Sequence, residues 1–268
     1  MTLVVCATQI GNLDDITLRA LRELADADVV LCEDTRRTAV LLSRHGIRAQ
    51  ELRSYHRHNE AARTREVLEL LRGGSRVALV SDAGLPGIND PGMRLVAAVR
   101  DAGLDMTVLP GPSAVTTALV ASGFTSERYQ FLGFLPRGGG ALAALWAELA
   151  AWPHVAVAFE SPRRLPRSLR SLADAAPDRP VAVCRELTKR YEEVVRGPAD
   201  EVAARFAEPQ RGEIVVVLGP WRAPAGDIGE AAAAVAELVA AGIPRRQASE
   251  LVARLSGTSA RALYRRSL

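Results

Sequence analysis

Along most of the chain, apolar runs of strand length alternate with stretches whose apolar positions recur at helical spacing. A strand at residues 3–7, a helix over 15–27 and a strand at 29–32 read together as a βαβ unit. In that helix Ile16, Ala20, Leu21 and Leu24 share one face, Arg19, Arg22 and Glu23 face water, and Asp14 or Asp15 is placed to cap the start. The spacing predicts further helices over 38–45, 59–72, 93–102 and 113–122, separated by strands at 50–54, 76–80 and 106–109. Gly46, Gly73-Gly74, Gly103 and Gly123 stand just past these helices, where a helix end favours glycine.

Beyond Gly123 the alternation resumes. Strands are expected at 131–135, 155–159, 181–184 and 213–218, a hairpin-like segment at 192–196, and helices at 142–150, 165–175 and 199–206. Pro220, Pro224, Gly226 and Gly229 then read as a linker. The last stretch is helical only, at 228–241, 245–255 and 259–266, broken by Gly242-Ile243-Pro244 and Ser256-Gly257-Thr258. Three units follow: an α/β lobe over 1–123, a second α/β lobe over 124–220, and a basic, helix-turn-helix-like unit over 228–268.

Composition narrows the function classes. At 268 residues, 48% hydrophobic and 24% charged, the chain suits a folded two-lobed protein and not a disordered or disulfide-framed one. No apolar run reaches the roughly 20 residues a membrane helix needs, and the N-terminus reads as a strand, not a signal peptide. Cys6, Cys32 and Cys184 are widely spaced with no metal-ligand pattern, which fits a reducing cytoplasm and no metal. Net charge is only +3, so a nucleic-acid site must be local. Residues 245–268 carry six arginines against Glu250 alone. Lys189 is the one lysine, every other cationic side chain being arginine.

Two Gly- and Pro-rich segments leave strands for helices: Ser81-Asp82-Ala83-Gly84-Leu85-Pro86-Gly87-Ile88-Asn89-Asp90-Pro91-Gly92 and Pro110-Gly111-Pro112-Ser113-Ala114. Open α/β sheets bind ligands at these strand ends. Asp82 suits an ammonium or ribose hydroxyls, and the amides at Ser113-Ala114 suit an anion. The same residues also read as plain tight turns before a capped helix. No GxGxxG after the first strand, no P-loop and no GxSxG elbow occurs.

With Thr8-Gln9-Ile10-Gly11-Asn12-Leu13, Glu33-Asp34-Thr35-Arg36 and Arg185-Glu186-Leu187-Thr188-Lys189, these segments form an ordered set that resembles the tetrapyrrole methylase superfamily, specifically its ribosomal RNA methyltransferase branch. The resemblance implies a two-lobed α/β fold with S-adenosylmethionine in a cleft between the lobes, homodimers, and 2'-O-methylation of a cytidine ribose in the decoding region of 16S rRNA within the 30S subunit. Carried onto this sequence, the cofactor would touch Ile10, Asp82, Leu85, Ser113, Ala114, Phe159 and Leu187. Gln9 departs from the family's usual proline, as does Leu85 from a threonine before Pro86.

A ribose hydroxyl is a poor nucleophile unless a nearby group takes its proton. Candidates are Glu33, Asp34, Glu186 and Lys189, with Arg36 holding RNA phosphate; Lys189 would serve as base or orienter. Glu33–Arg36 also reads as a helix cap with a surface ion pair, and His56 and His58, in Tyr55-His56-Arg57-His58-Asn59-Glu60, as a solvated loop pair. The rivals are a tetrapyrrole or precorrin methyltransferase, which needs no basic tail, and a non-catalytic RNA-binding or ribosome assembly factor.

Overall fold

The computed structural model describes residues 2–222, 228–257 and 259–267. Pro224 and Gly226 of the expected linker, and Thr258 of the last interhelical break, lie outside the described residues.

The first lobe contains β1 (Thr2–Cys6), α1 (Leu18–Asp26), β2 (Val29–Cys32), α2 (Thr35–Arg44), β3 (Leu52–Ser54), α3 (Glu60–Arg72), β4 (Arg76–Leu79), α4 (Met93–Asp101) and β5 (Met106–Leu109). Its sheet runs β3-β2-β4-β1-β5 with every pairing parallel. Strands that are apolar at every position need cover on both faces, and they have it. Leu3, Val5, Val29, Leu31, Val77 and Leu79 meet α3 and α4 through Val67, Leu71, Leu95 and Val99. The alternate residues Val4, Cys6, Val30, Cys32 and Ala78 meet α1 and α2 through Ala20, Leu24, Leu41 and Leu42.

The first helix starts later than its periodicity suggests, and neither Asp14 nor Asp15 caps it. The Asn12 side chain accepts the N–H of Asp14 over a single 3-10 turn, Leu13–Asp15, and Thr17 caps α1 by accepting the N–H of Ala20 at 3.1 Å. Ile16 is anchored in the core, so the chain turns there before the helix begins. Asp14 instead pairs with Arg44 at 2.9 Å.

The second lobe contains α5 (Ala114–Ala121), β6 (Tyr129–Phe134), α6 (Gly139–Ala150), β7 (Val155–Glu160), α7 (Leu165–Ala175), β8 (Pro180–Arg185), β9 (Glu193–Pro198), α8 (Ala199–Arg205) and β10 (Ile214–Leu218). Its sheet is mixed, in the order β6-β7-β10-β8-β9, and only β6 and β7 are parallel. The central strand β10 is buried at all five positions. Helix α5, which precedes the expected boundary at Gly123, lies on this second sheet: Val115 and Ala118 join Val155, Val157, Val215 and Val217. It ties the two lobes together.

Helices α9 (Ile228–Ala240), α10 (Arg245–Ser256) and α11 (Ala260–Arg266) close a small core of their own around Ala231, Val235, Ala248, Val252 and Leu263. The three cysteines are free and buried. Among the described residues no helix is long and apolar enough to cross a membrane.

Candidate active site

Because the first sheet is all parallel, its strands deliver their carboxyl ends to one edge, and there the loops face the second lobe. Between them lies a cavity of about 540 Å³. The first lobe lines it with Ile10 after β1, Glu33 after β2 and the loop from Asp82 to Asp90 after β4, and Ser113-Ala114-Val115 line it where the chain passes from β5 into α5. The second lobe contributes Phe134, Phe159 to Pro162, and Gly212 to Val215.

One wall is apolar. Phe159 stands edge-on to Phe131 and Phe134, with ring centroids 5.0 and 5.5 Å away, and Ile10, Leu85 and Val115 extend the surface. The charged part of the lining is mostly acidic. Asp82 accepts the backbone N–H of Asp34 at 3.1 Å and pairs with Arg37 at 2.8 Å. Burial, and then the charges of Asp82, push the carboxyl of Glu33 up despite Arg57 and Arg37. The same two influences, burial first and then Glu33, push Asp90 up to about 6. At the base, fully buried Glu160 is held by Arg164 and by the Ser168 hydroxyl, each at 2.5 Å. Carboxyls pushed up by burial and by like charges in a cleft are suited to proton transfer.

Hydrogen bonds fix these loops to the strand ends. Thr8 donates its N–H to Gly84 O at 2.9 Å and its hydroxyl to Ser81 O at 3.0 Å. The segment from His56 to Glu60 braces the far end: Arg57 donates to Asn89 O, and Glu60 accepts the N–H of Gly92 at 3.1 Å. The departure at Gln9 leaves its side-chain oxygen buried without a hydrogen-bond partner.

The lobes are latched where the loop after β1 meets the loop after β8. Asn12 donates its N–H to the Thr188 hydroxyl at 2.9 Å. A Cβ on Gly11 would stand 2.6 Å from Leu187 O and from two side-chain atoms, so only glycine fits this approach. Lys189 bridges Glu186 at 2.8 Å and Glu213 at 2.9 Å. Burial alone would lower its amine, but the hydrogen bonds to both carboxylates outweigh that and hold it above the ordinary lysine range.

Of the residues expected at the cofactor, Ile10, Asp82, Leu85, Ser113, Ala114 and Phe159 line the cleft, whereas Leu187 is buried behind it in the cluster with Ile10 and Phe159. Of the catalytic candidates only Glu33 lines it. Asp34 caps α2, and its carboxyl, held down to about 2 chiefly by Arg36, forms the surface ion pair that the cap reading anticipates. The Arg36 side chain is 89% exposed. Glu186 and Lys189 stand outside the lining and brace Glu213, which is in it. Sequence reasoning missed Arg37, Asn89, Asp90, Phe134 and Glu160. Asn89 and Asp90 lie in the Gly- and Pro-rich loop after β4 that the sequence singles out, where Asn89 adopts a left-handed backbone, φ 63°.

Residues 2–203 match the family model described as Tetrapyrrole (Corrin/Porphyrin) Methylases. The chain is 45% identical to a Mesorhizobium japonicum protein named ribosomal RNA small subunit methyltransferase I, over 99% of this chain and 91% of that one. It is 47% identical to a Mycobacterium bovis protein of the same name, over 98% and 93%. Among solved structures, the uroporphyrin-III C-methyltransferase of Thermus thermophilus complexed with S-adenosylhomocysteine superimposes with TM-score 0.56 at 21% identity, covering 81% of this chain and 96% of that one. The parallel sheet, the cleft at its carboxyl edge and full-length identity to named relatives converge: this chain belongs to the tetrapyrrole methylase family, in the group of ribosomal RNA small subunit methyltransferase I.

Proposed function

We propose that this chain transfers a methyl group from S-adenosylmethionine to 16S rRNA, at the 2'-oxygen of a cytidine ribose in the decoding region, with the 30S particle as substrate. The observation that carries the reading is the cleft itself: an apolar lining of Ile10, Leu85 and Phe159 together with the carboxylates of Glu33, Asp82 and Asp90, in a chain that shares nearly half its residues with methyltransferases named for small-subunit rRNA.

The cleft residues fit the donor. Ile10, Leu85 and Phe159 offer an apolar slot for the adenine, and Asp82 an acceptor for ribose hydroxyls or an ammonium. Helix α5 begins without a side-chain cap at Ser113, which leaves its first amides for a carboxylate. Bound there, the donor supplies a methyl group on a sulfonium sulfur. The protein's part is alignment and proton removal. Asp90 takes the ribose proton; its raised pKa lies near neutral, where a general base is both ionised and basic enough. Burial, and then the charge of Glu33, keep that pKa high. Lys189 serves as an orienter: it keeps its proton and fixes Glu213 at the cleft.

Substrate affinity is assigned to the basic tail, where Arg246, Arg261 and Arg265 flank a surface pocket with Tyr264. The protein acts in the cytoplasm, where ribosomes assemble, and as a homodimer, for which exposed Val108 and Val120 on β5 and α5 offer apolar surface. The test is transfer of label from S-adenosylmethionine to unmethylated 30S subunits. Labelling of the small-subunit rRNA supports the reading, and a bound but unreactive donor refutes it.

A further inference from the structure

A second basic surface, distinct from the tail, is built at the start of α7. Arg167 and Arg170, three residues apart, share one face of α7, and Arg163 stands in the turn just before that helix. With Pro166, Ser171, Ala207 and Pro209 they line an open groove of about 370 Å³, in which Asp174 is the one acid. All three arginines are exposed, and none has an ion-pair or hydrogen-bond partner among the described residues. In this they differ from their neighbour Arg164, which is spent on Glu160 and Leu135 O.

The groove adjoins the cleft along two segments of chain. One supplies Glu160, Ser161 and Pro162 to the cleft and then Arg163, Pro166 and Arg167 to the groove. The other supplies Gly212 and Glu213 to the cleft and Pro209 and Ala207 to the groove. Gln210 stitches the two together by donating its N–H to Pro162 O at 3.0 Å. The groove thus neighbours the part of the cleft lined by Glu160, Ser161 and Pro162 and by Gly212 and Glu213.

We propose that this α7 groove binds the phosphodiester backbone of the RNA flanking the target nucleotide. A nucleotide placed in the cleft must have neighbours on its chain, each carrying a negative phosphate, and a run of unpartnered guanidiniums beside the cleft is complementary to them. The inference rests on the RNA reading of the cleft, since it takes RNA as the substrate. It adds a contact made beside the chemistry, distinct from the tail.

The test is direct binding, independent of turnover. An 16S rRNA fragment spanning the decoding region, and separately whole 30S subunits, are titrated at several salt concentrations with the full-length protein and with the triple variant Arg163→Gln/Arg167→Gln/Arg170→Gln. A charge-matched control removes the exposed Arg19, Arg65 and Arg100 on helices of the first lobe. The plot of log affinity against log salt is expected to lose about 2 units of slope in the α7 variant, since each phosphate contact contributes roughly 0.7 to 0.9. The control should change little, and donor affinity and melting temperature should stay at the parent value. An α7 variant with the parent's slope overturns the proposal, as does one that loses 30S binding while keeping fragment binding, because the groove would then read a ribosomal protein. If the slope falls yet no RNA is ever methylated, the groove stands and the catalytic reading alone fails.

Discussion

Asp82 Oδ2 lies 2.8 Å from Arg37 Nη1, joining the loop after β4 to the first turn of α2 at the rim of the cleft. The pairing fixes the carboxylate, and its other oxygen is held by the N–H of Asp34. Hydrogen bonds to a charged group contribute about 1.5–3 kcal/mol. Asp82→Asn should therefore weaken S-adenosylmethionine binding by about 10- to 100-fold. Arg37→Met, which only frees the carboxylate to move, should weaken it less. Isothermal titration calorimetry on both variants checks the order, and equal losses would contradict it.

The raised pKa of Asp90 sets a pH dependence. As proton acceptor it must be ionised, so kcat/KM should rise with pH through about 6 and then level. Asp90→Asn should lower kcat by about 10²- to 10⁴-fold with little change in donor affinity. Its effect on stability has the opposite sense. A carboxyl whose folded pKa is raised stabilises the fold most when protonated, and that contribution is lost as pH rises from the unfolded value through about 6. Asp90→Asn should thus melt higher than the parent at pH 7.5, with the gain shrinking toward pH 4, as scanning calorimetry across that range would show.

Lys189 divides two roles cleanly. Held between Glu186 and Glu213, its amine stays protonated, so Lys189→Arg should keep most of kcat, while Lys189→Met should cost about 1 kcal/mol of stability and lower turnover through a loosened Glu213. A Lys189→Arg enzyme that folds and binds donor normally but has lost turnover would instead identify the lysine as the base.

Gly11→Ala tests the latch between the lobes. Its Cβ would meet the backbone oxygen of Leu187 at 2.6 Å, and backbone cannot swing aside. Overpacking of this kind costs about 1–3 kcal/mol, so the melting temperature should fall by several degrees. Donor affinity should fall with it, since both lobes line the cleft.

Much of this was legible in the sequence because it is local. The alternation of Leu3 and Val5 with Val4 and Cys6 announces a doubly covered strand, and Asp34 before Thr35 announces a cap. Of the six cleft residues anticipated at the donor, Ile10, Asp82, Leu85 and Ser113 sit in segments that leave strands, where glycine and proline mark them. The rest depends on distance in the chain. Arg37 reaches Asp82 across 45 positions, and Phe134, Glu160 and Glu213 enter only because the second lobe closes over the first sheet's edge. Asp90 was readable as a residue but not as a base, because its pKa comes from burial and from Glu33, more than fifty positions away. Asp14 misled for a different reason: two acids before a helix suggest a cap, yet buried Ile16 sets the turn and leaves Thr17 to do it.

Methylation of a small-subunit rRNA ribose in this cleft, the activity proposed above, is open to direct test. The most direct measurement incubates the protein with labelled S-adenosylmethionine and unmethylated 30S subunits, digests the RNA to nucleosides and fragments, and locates the label by mass spectrometry. The account predicts one labelled cytidine in the decoding region with the methyl on its ribose, and its loss in Asp90→Asn. Label on a base, label on a tetrapyrrole but not on RNA, or a protein that binds donor and subunit without transferring anything would contradict it.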